Sequence, residues 1–96
     1  ASYASALHSA NPSAAIWALT PLSLGASYSA PNVNGDTLAD FRTQATSALT
    51  GSPNVTVLDG ALIFPGSGAE LNADAIHPND AGHETIVDNI ALELGL

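Results

Sequence analysis

The chain contains no cysteine, no methionine and no lysine, and Arg42 is its one fixed cation. Each absence excludes something. Without cysteine there is neither a disulfide framework nor a thiolate metal site. One basic residue against nine acids leaves a formal charge of −8 with the three histidines neutral. Nucleic acid is therefore not an expected partner, because phosphate binding needs a basic surface. Anionic membranes should repel the chain for the same reason. No apolar run approaches the ~20 residues of a membrane span. The opening Ala1-Ser2-Tyr3 lacks the basic stretch and apolar core of a signal peptide, and the missing initiator methionine suits a mature, processed or cut polypeptide.

What is present is enough for a folded protein. Hydrophobic residues make up 46%, which argues against disorder. Ninety-six residues allow one small domain, of a size that buries about 60–65% of its unfolded surface. The acidic, Ala/Ser/Thr-rich composition points to a secreted or salt-exposed protein. Asn54-Val55-Thr56 matches a glycosylation acceptor, a triplet that chance produces often.

The elements alternate. Residues 2–10 read as a short helix with Tyr3, Leu7 and Ala10 on one face, stopped by Asn11-Pro12. Residues 14–20 form a continuous apolar run closed by Pro21, as expected of a strand buried on both faces. A Ser/Gly/Pro/Asn-rich loop covers 21–35. Asp36 then suits an N-cap for a helix to about Thr50, with Leu38, Phe41, Ala45, Ala48 and Leu49 on one side. Val55–Leu58 reads as a second strand that could resume at Ala61–Phe64, and 65–79 as loop. A last helix is expected over Asp80–Leu94, with Ile86, Val87, Ile90, Ala91 and Leu94 as its stripe.

Strand, helix, strand is a βαβ unit, so the sheet should be parallel. A parallel sheet needs helices over both faces, and two strands do not make an independently stable sheet. Three helices and two strands therefore read as half of an α/β sandwich, the rest coming from another chain, another copy or another part of the protein.

The chemistry concentrates in Asp74-Ala-Ile-His77-Pro78-Asn79-Asp80-Ala81-Gly82-His83. A general base needs an imidazole whose tautomer is fixed by a carboxylate behind it, and three residues in a loop let Asp74 meet His77 with little chain closure. Pro78 fixes φ near a helix start, and Asn79 or Asp80 can cap that helix. Other readings of these residues stand beside this one. Asp74 and Asp80 can be loop and cap residues with His77 a surface histidine. Asp74, His77 and His83 can be metal ligands, although their spacing matches no compact zinc pattern. The acid-rich loop 70–80 can serve a partner or a cation in a non-catalytic binding or assembly module.

Asp74-x-x-His77-Pro78 followed by Gly82-His83 resembles the last conserved block of the SGNH (GDSL-type) esterases and lipases. Upstream, Asn11-Pro12 leading into Ile16–Pro21, and Val55-Thr-Val-Leu58-Asp59, are similar to the segments flanking that family's later blocks. The likeness covers the whole chain but only the C-terminal half of the family's domain. It implies a three-layer α/β/α sandwich with a parallel sheet, flavodoxin-like. It also implies a serine ester hydrolase acting on short-chain or carbohydrate acetyl esters without a cofactor or metal. His77 would be the general base and Asp74 its orienting carboxylate, with Gly82 and His83 serving the geometry of the helix start. His83 and His8 are expected to be structural, His83 capping or packed and His8 structural or exposed.

The blocks that would carry the nucleophilic serine, the glycine and the Gly-x-Asn-Asp donors have no match here. Ser67, between Gly66 and Gly68, lacks a strand-to-helix elbow and reads as a flexible turn; Ser23, Ser27 and Ser29 lie in a loop without one. The expected partner is therefore the N-terminal half of the same hydrolase, as a separate chain or cleaved fragment, and the expected substrate a small, uncharged acyl ester.

Overall fold

A computed structural model describes residues 2–25 and 28–96, so Ser27 lies outside the described residues. Along the chain run α1 (Ser2–Ala10), β1 (Ile16–Leu19), α2 (Leu38–Leu49), β2 (Val55–Leu58), the single-turn α3 (Gly60–Ile63), a 3-10 turn (Gly68–Glu70) and α4 (Asp80–Leu94). β1 and β2 pair in parallel, Ile16 opposite Val55 through Leu19 opposite Leu58. The protein is a small α/β fold built on this two-stranded sheet.

Paired residues share a face, so Ile16, Ala18, Val55 and Val57 look one way and Trp17, Leu19, Thr56 and Leu58 the other. The first set is half-buried. On the second face Leu58 is buried, whereas Trp17 and Leu19 stay 48% and 44% exposed. The expectation that the first strand is buried on both faces is not met, because the described elements leave Trp17 and Leu19 on an open side of β1.

Local chemistry sets the element ends. Thr37, rather than the expected Asp36, caps α2: its hydroxyl accepts from Asp40 N at 3.2 Å while Asp40 Oδ2 accepts from Thr37 N at 2.8 Å. This reciprocal pair satisfies two orphan donors, which a carboxylate at position 36 could not do without a partner three residues into the helix. The inward stripe of α2 is Leu38, Arg42, Ala45 and Leu49; Phe41 and Ala48 face out. Arg42 takes that inward place by donating from Nε to Pro21 O at 2.6 Å and from Nη2 to Ser23 Oγ at 3.2 Å. On α1 the inward residues are Ala4, Leu7 and His8, not Tyr3 and Ala10.

The resumed strand at Ala61–Phe64 is a helical turn instead. Asp59 Oδ1 accepts from Ala61 N at 2.9 Å and starts it. A short apolar run cannot by itself distinguish a buried strand from a buried helical turn. Ile63 and Phe64 are the most deeply buried side chains, at 1% and 0% exposure. Gly60 lets this turn pass under β1's end: its N–H meets buried Thr20 Oγ1 at 2.8 Å, and a Cβ there would lie 2.2 Å from Thr20 O.

Helix α4 has the expected bounds, capped by Asn79, whose Oδ1 accepts from Gly82 N at 3.0 Å, and closed by Gly95 in the left-handed region. Ile86, Ile90, Ala91 and Leu94 face inward while Val87 is exposed. Polar residues complete that face: Asn89 Nδ2 donates to Ile63 O at 2.9 Å, and Thr85 donates to Glu70.

The buried apolar core is Ala4, Leu58, Ile63, Phe64 and Leu71, which is small. The accessible surface is 6005 Å², against about 5,100 Å² for a folded monomer of this mass. The radius of gyration is 14.9 Å, where about 12.5 Å is usual for 96 residues.

Candidate active site

Asp74 and His77 are brought together as expected, with Nδ1 of His77 2.6 Å from Oδ2 of Asp74. The other carboxylate oxygen accepts two backbone N–H groups, Ile76 at 2.9 Å and His77 at 3.0 Å. One aspartate thus builds the turn and holds the ring. The imidazole and these two amides draw its carboxyl down to about 2, the His77 ring bond contributing most. At neutral pH Asp74 is ionised and accepts the proton carried on Nδ1, the tautomer in which a neutral ring presents its lone pair on Nε2.

The surrounding loop is stitched closed. Asn72 N donates to His77 O at 2.8 Å and Ala75 N to Asn72 O at 2.9 Å, while Leu71 and Pro78 form an antiparallel bridge. Asn79 Nδ2 reaches Ala69 O at 2.9 Å, and Asn79 N reaches Glu70 O at 2.9 Å. Ala75 adopts φ 59°, a left-handed conformation that costs a residue with a Cβ roughly 1–2 kcal/mol. That strain is carried because the Asp74 turn demands it. Beneath the loop, Gly82 is buried where a Cβ would lie 2.3 Å from Glu70 O and 2.9 Å from Pro78 Cβ. Its expected role at the helix start therefore has a steric cause.

The pair lies beside the loop leaving the C-terminal end of β1, since Gly25 N donates to Ala75 O at 3.0 Å. Ligands bind at that end of open parallel sheets. It is also open to solvent, with the His77 side chain 72% and the Asp74 side chain 44% exposed.

The other candidates separate from it. His83 is exposed, so it is not packed, and Asn79 does the capping. It lines an open concavity of about 750 Å³ with Asp80, Glu84, Val87 and Asp88, which excludes Asp74 and His77. A second hollow, of about 550 Å³ between α2 and β2, also leaves the pair out. Among the described residues no three His, Cys, Asp or Glu side chains are grouped to hold a metal ion, so Asp74, His77 and His83 form no such set. His8 is half-buried, and its Nδ1 has no hydrogen-bond partner. Ser67 opens the 3-10 turn and donates to Glu70 Oε1 at 2.7 Å. Ser23 receives a bond from Arg42, and Ser29 is exposed in the same loop.

Glu70 is a residue that sequence reasoning missed. Thr85 and Ser67 hydroxyls both donate to its carboxylate and hold it below the usual range, Thr85 most strongly, tying the loop's entry to α4. The Ser67-x-x-Glu70 spacing was a readable hint, but Thr85, fifteen residues on, was not.

An α/β fold with a carboxylate-oriented imidazole at the carboxyl end of its sheet is the class of protein these observations define. No protein-family model and no curated protein sequence matches the chain. Among solved structures it is similar to the salicylyl-acyltransferase SsfX3 from a tetracycline biosynthetic pathway, with a TM-score of 0.69 at 25% identity. The match covers 93% of this chain and 28% of that one, so the chain spans little more than a quarter of its neighbour's length.

Proposed function

We propose that the chain is the C-terminal portion of an SGNH-type serine ester hydrolase, completed by an N-terminal portion into a three-layer α/β/α sandwich. The observation that carries this reading is the Asp74–His77 pair, with one carboxylate oxygen on Nδ1 and the other on two backbone amides. That geometry orients the ring and turns Nε2 away from the carboxylate, where it can act as a base.

In this mechanism Nε2 of His77 takes the proton of a serine hydroxyl supplied by the complementing portion. The serine oxygen bonds to the ester carbonyl carbon, and the developing oxyanion is held by donors from that same portion. Collapse breaks the bond to the alcohol, which leaves with the proton from Nε2. Water then gives its proton to His77 and attacks the acyl carbonyl carbon; collapse breaks the acyl–serine bond, the serine oxygen regains its proton from Nε2, and the acid is released. Asp74 stays ionised throughout, orienting the ring and stabilising its cationic form.

The solvent exposure of the pair fits this division. In water the Asp74–His77 bond competes with solvent, and an arriving wall that lowers the local dielectric strengthens it. Three features support a complementing portion: the surface excess over a folded monomer, the open Trp17–Leu19 side of β1, and a neighbour more than three times as long. The substrate class is a small uncharged acyl ester, because a −8 protein disfavours anions. The acidic, lysine-free composition supports a secreted location.

A second reading, acyl transfer to an alcohol instead of water, is favoured by the neighbour, which is named for transferring a salicylyl group. The two differ only in what attacks the acyl-enzyme. Turnover of p-nitrophenyl acetate by the intact protein with and without an added alcohol separates them: free acetate alone marks the hydrolase, a new acetate ester the transferase. No turnover in either mixture, with the complementing portion present, contradicts both.

A further inference from the structure

We infer that Gly25, in the loop leaving β1, is the positioning residue that sets the conformation of the Asp74–His77 loop. This rests on the reading of that pair as orienting carboxylate and base. Gly25 meets the loop at Ala75, the residue between the two hydrogen-bonding halves of the Asp74 turn. Its N–H donates to Ala75 O at 3.0 Å. Its Cα approaches so closely that an added Cβ would lie 2.7 Å from Ala75 Cβ and 3.1 Å from Ala75 O. Gly25 is not among the glycines with positive φ, so glycine is required there by space and not by backbone conformation.

Ala75 cannot yield alone. Its φ of 59° is already unusual, its N–H is bonded to Asn72 O, and the amides of Ile76 and His77 just beyond it hold Asp74 Oδ1. A push on Ala75 therefore passes into the two peptide groups that fix the carboxylate, and from there to the ring. The β1 loop and the catalytic loop are far apart in sequence, yet the contact makes them one unit. The imidazole's position is thereby referenced to the end of the parallel sheet, where any complementing serine must also be placed.

The test is the tautomer of His77, read by nitrogen-15 NMR of the imidazole in the intact protein. A ring freed from its carboxylate no longer has the Nδ1–H form imposed on it. The native protein should show the Nδ1–H form as dominant. Gly25→Ala should turn this into a mixture and lower ester turnover on the order of a hundredfold. Adding Ala75→Gly removes the 2.7 Å Cβ–Cβ contact and relieves the positive φ, leaving only the 3.1 Å approach to the carbonyl oxygen of residue 75, so Gly25→Ala with Ala75→Gly should recover most of both. Gly68→Ala, where a Cβ meets nothing within 4 Å, should change neither. A native tautomer in Gly25→Ala overturns the inference, as does a double variant that fails to recover. Should Gly25→Ala lose its circular dichroism, the double variant decides by the same criterion. The NMR readout needs no turnover, so it fails independently of the catalytic reading, which His77→Ala tests.

Discussion

Asp74 serves three donors at once, and its low titration has a direct consequence. Its folded carboxyl protonates near 2, below its ordinary 3.8. The pair's contribution to folding is therefore fully present above about pH 4 and is lost as pH falls towards 2. Carboxyl carbon-13 titration should find one aspartate with a midpoint near 2, and His77→Ala should move it upward, since the ring supplies the largest share of the shift. An unmoved midpoint would assign the depression to the backbone amides alone. In turnover, Asp74→Asn should cost less than loss of the base, because the ring keeps its place in the loop but loses its imposed tautomer.

At the scale of elements, the caps and close approaches decide the ends. Thr37→Ala removes the hydroxyl half of the α2 capping box, leaving the residue 37 N–H on Asp40 Oδ2, and should cost about 1 kcal/mol by urea unfolding. Gly60→Ala should cost more, roughly 3 kcal/mol, because its Cβ would press on the carbonyl oxygens of Thr20 and Pro21, which are backbone and cannot rotate away. Equal losses would show that the α3 passage is more pliable than its spacing implies. These elements also mark what the sequence could tell. Helix α4 was legible because Pro78, a cap at Asn79 or Asp80 and the apolar stripe agree. The Asp74–His77 contact was legible because its two members lie three residues apart in a loop, whereas its reading as a base and its orienting carboxylate rested on the resemblance of Asp74-x-x-His77-Pro78 to a known block. The run Ala61–Phe64 was misread because a strand and a helical turn bury the same residues, and only the Asp59 cap distinguishes them. Arg42's inward place was hidden, since its acceptors, Pro21 O and Ser23 Oγ, lie about twenty residues away and exist only in the fold. Gly25 escaped for the same reason.

For the whole molecule, the parallel pair of strands carries the central tension. Parallel sheets are covered on both faces, whereas here Trp17 and Leu19 stand half-exposed. Trp17 is the chain's single tryptophan and so reports on that face. Addition of the complementing portion should shift its emission to shorter wavelength and protect it from iodide; unchanged quenching on assembly would mean that the open side of β1 is not the seat. A −8 protein with so small a core should also gain stability on that assembly, visible as a rise in melting temperature. If the proposed function holds, it belongs to an assembled sandwich in which residues 74–77 would be this chain's share of the site.

The most direct test is p-nitrophenyl acetate turnover by the intact, complemented protein carrying His77→Ala. The rate should fall by at least a thousandfold, since removing a triad histidine elsewhere costs about a millionfold, with circular dichroism unchanged. A folded His77→Ala variant that keeps the full rate would contradict the assignment of the Asp74–His77 pair as the base of an acyl-transfer site.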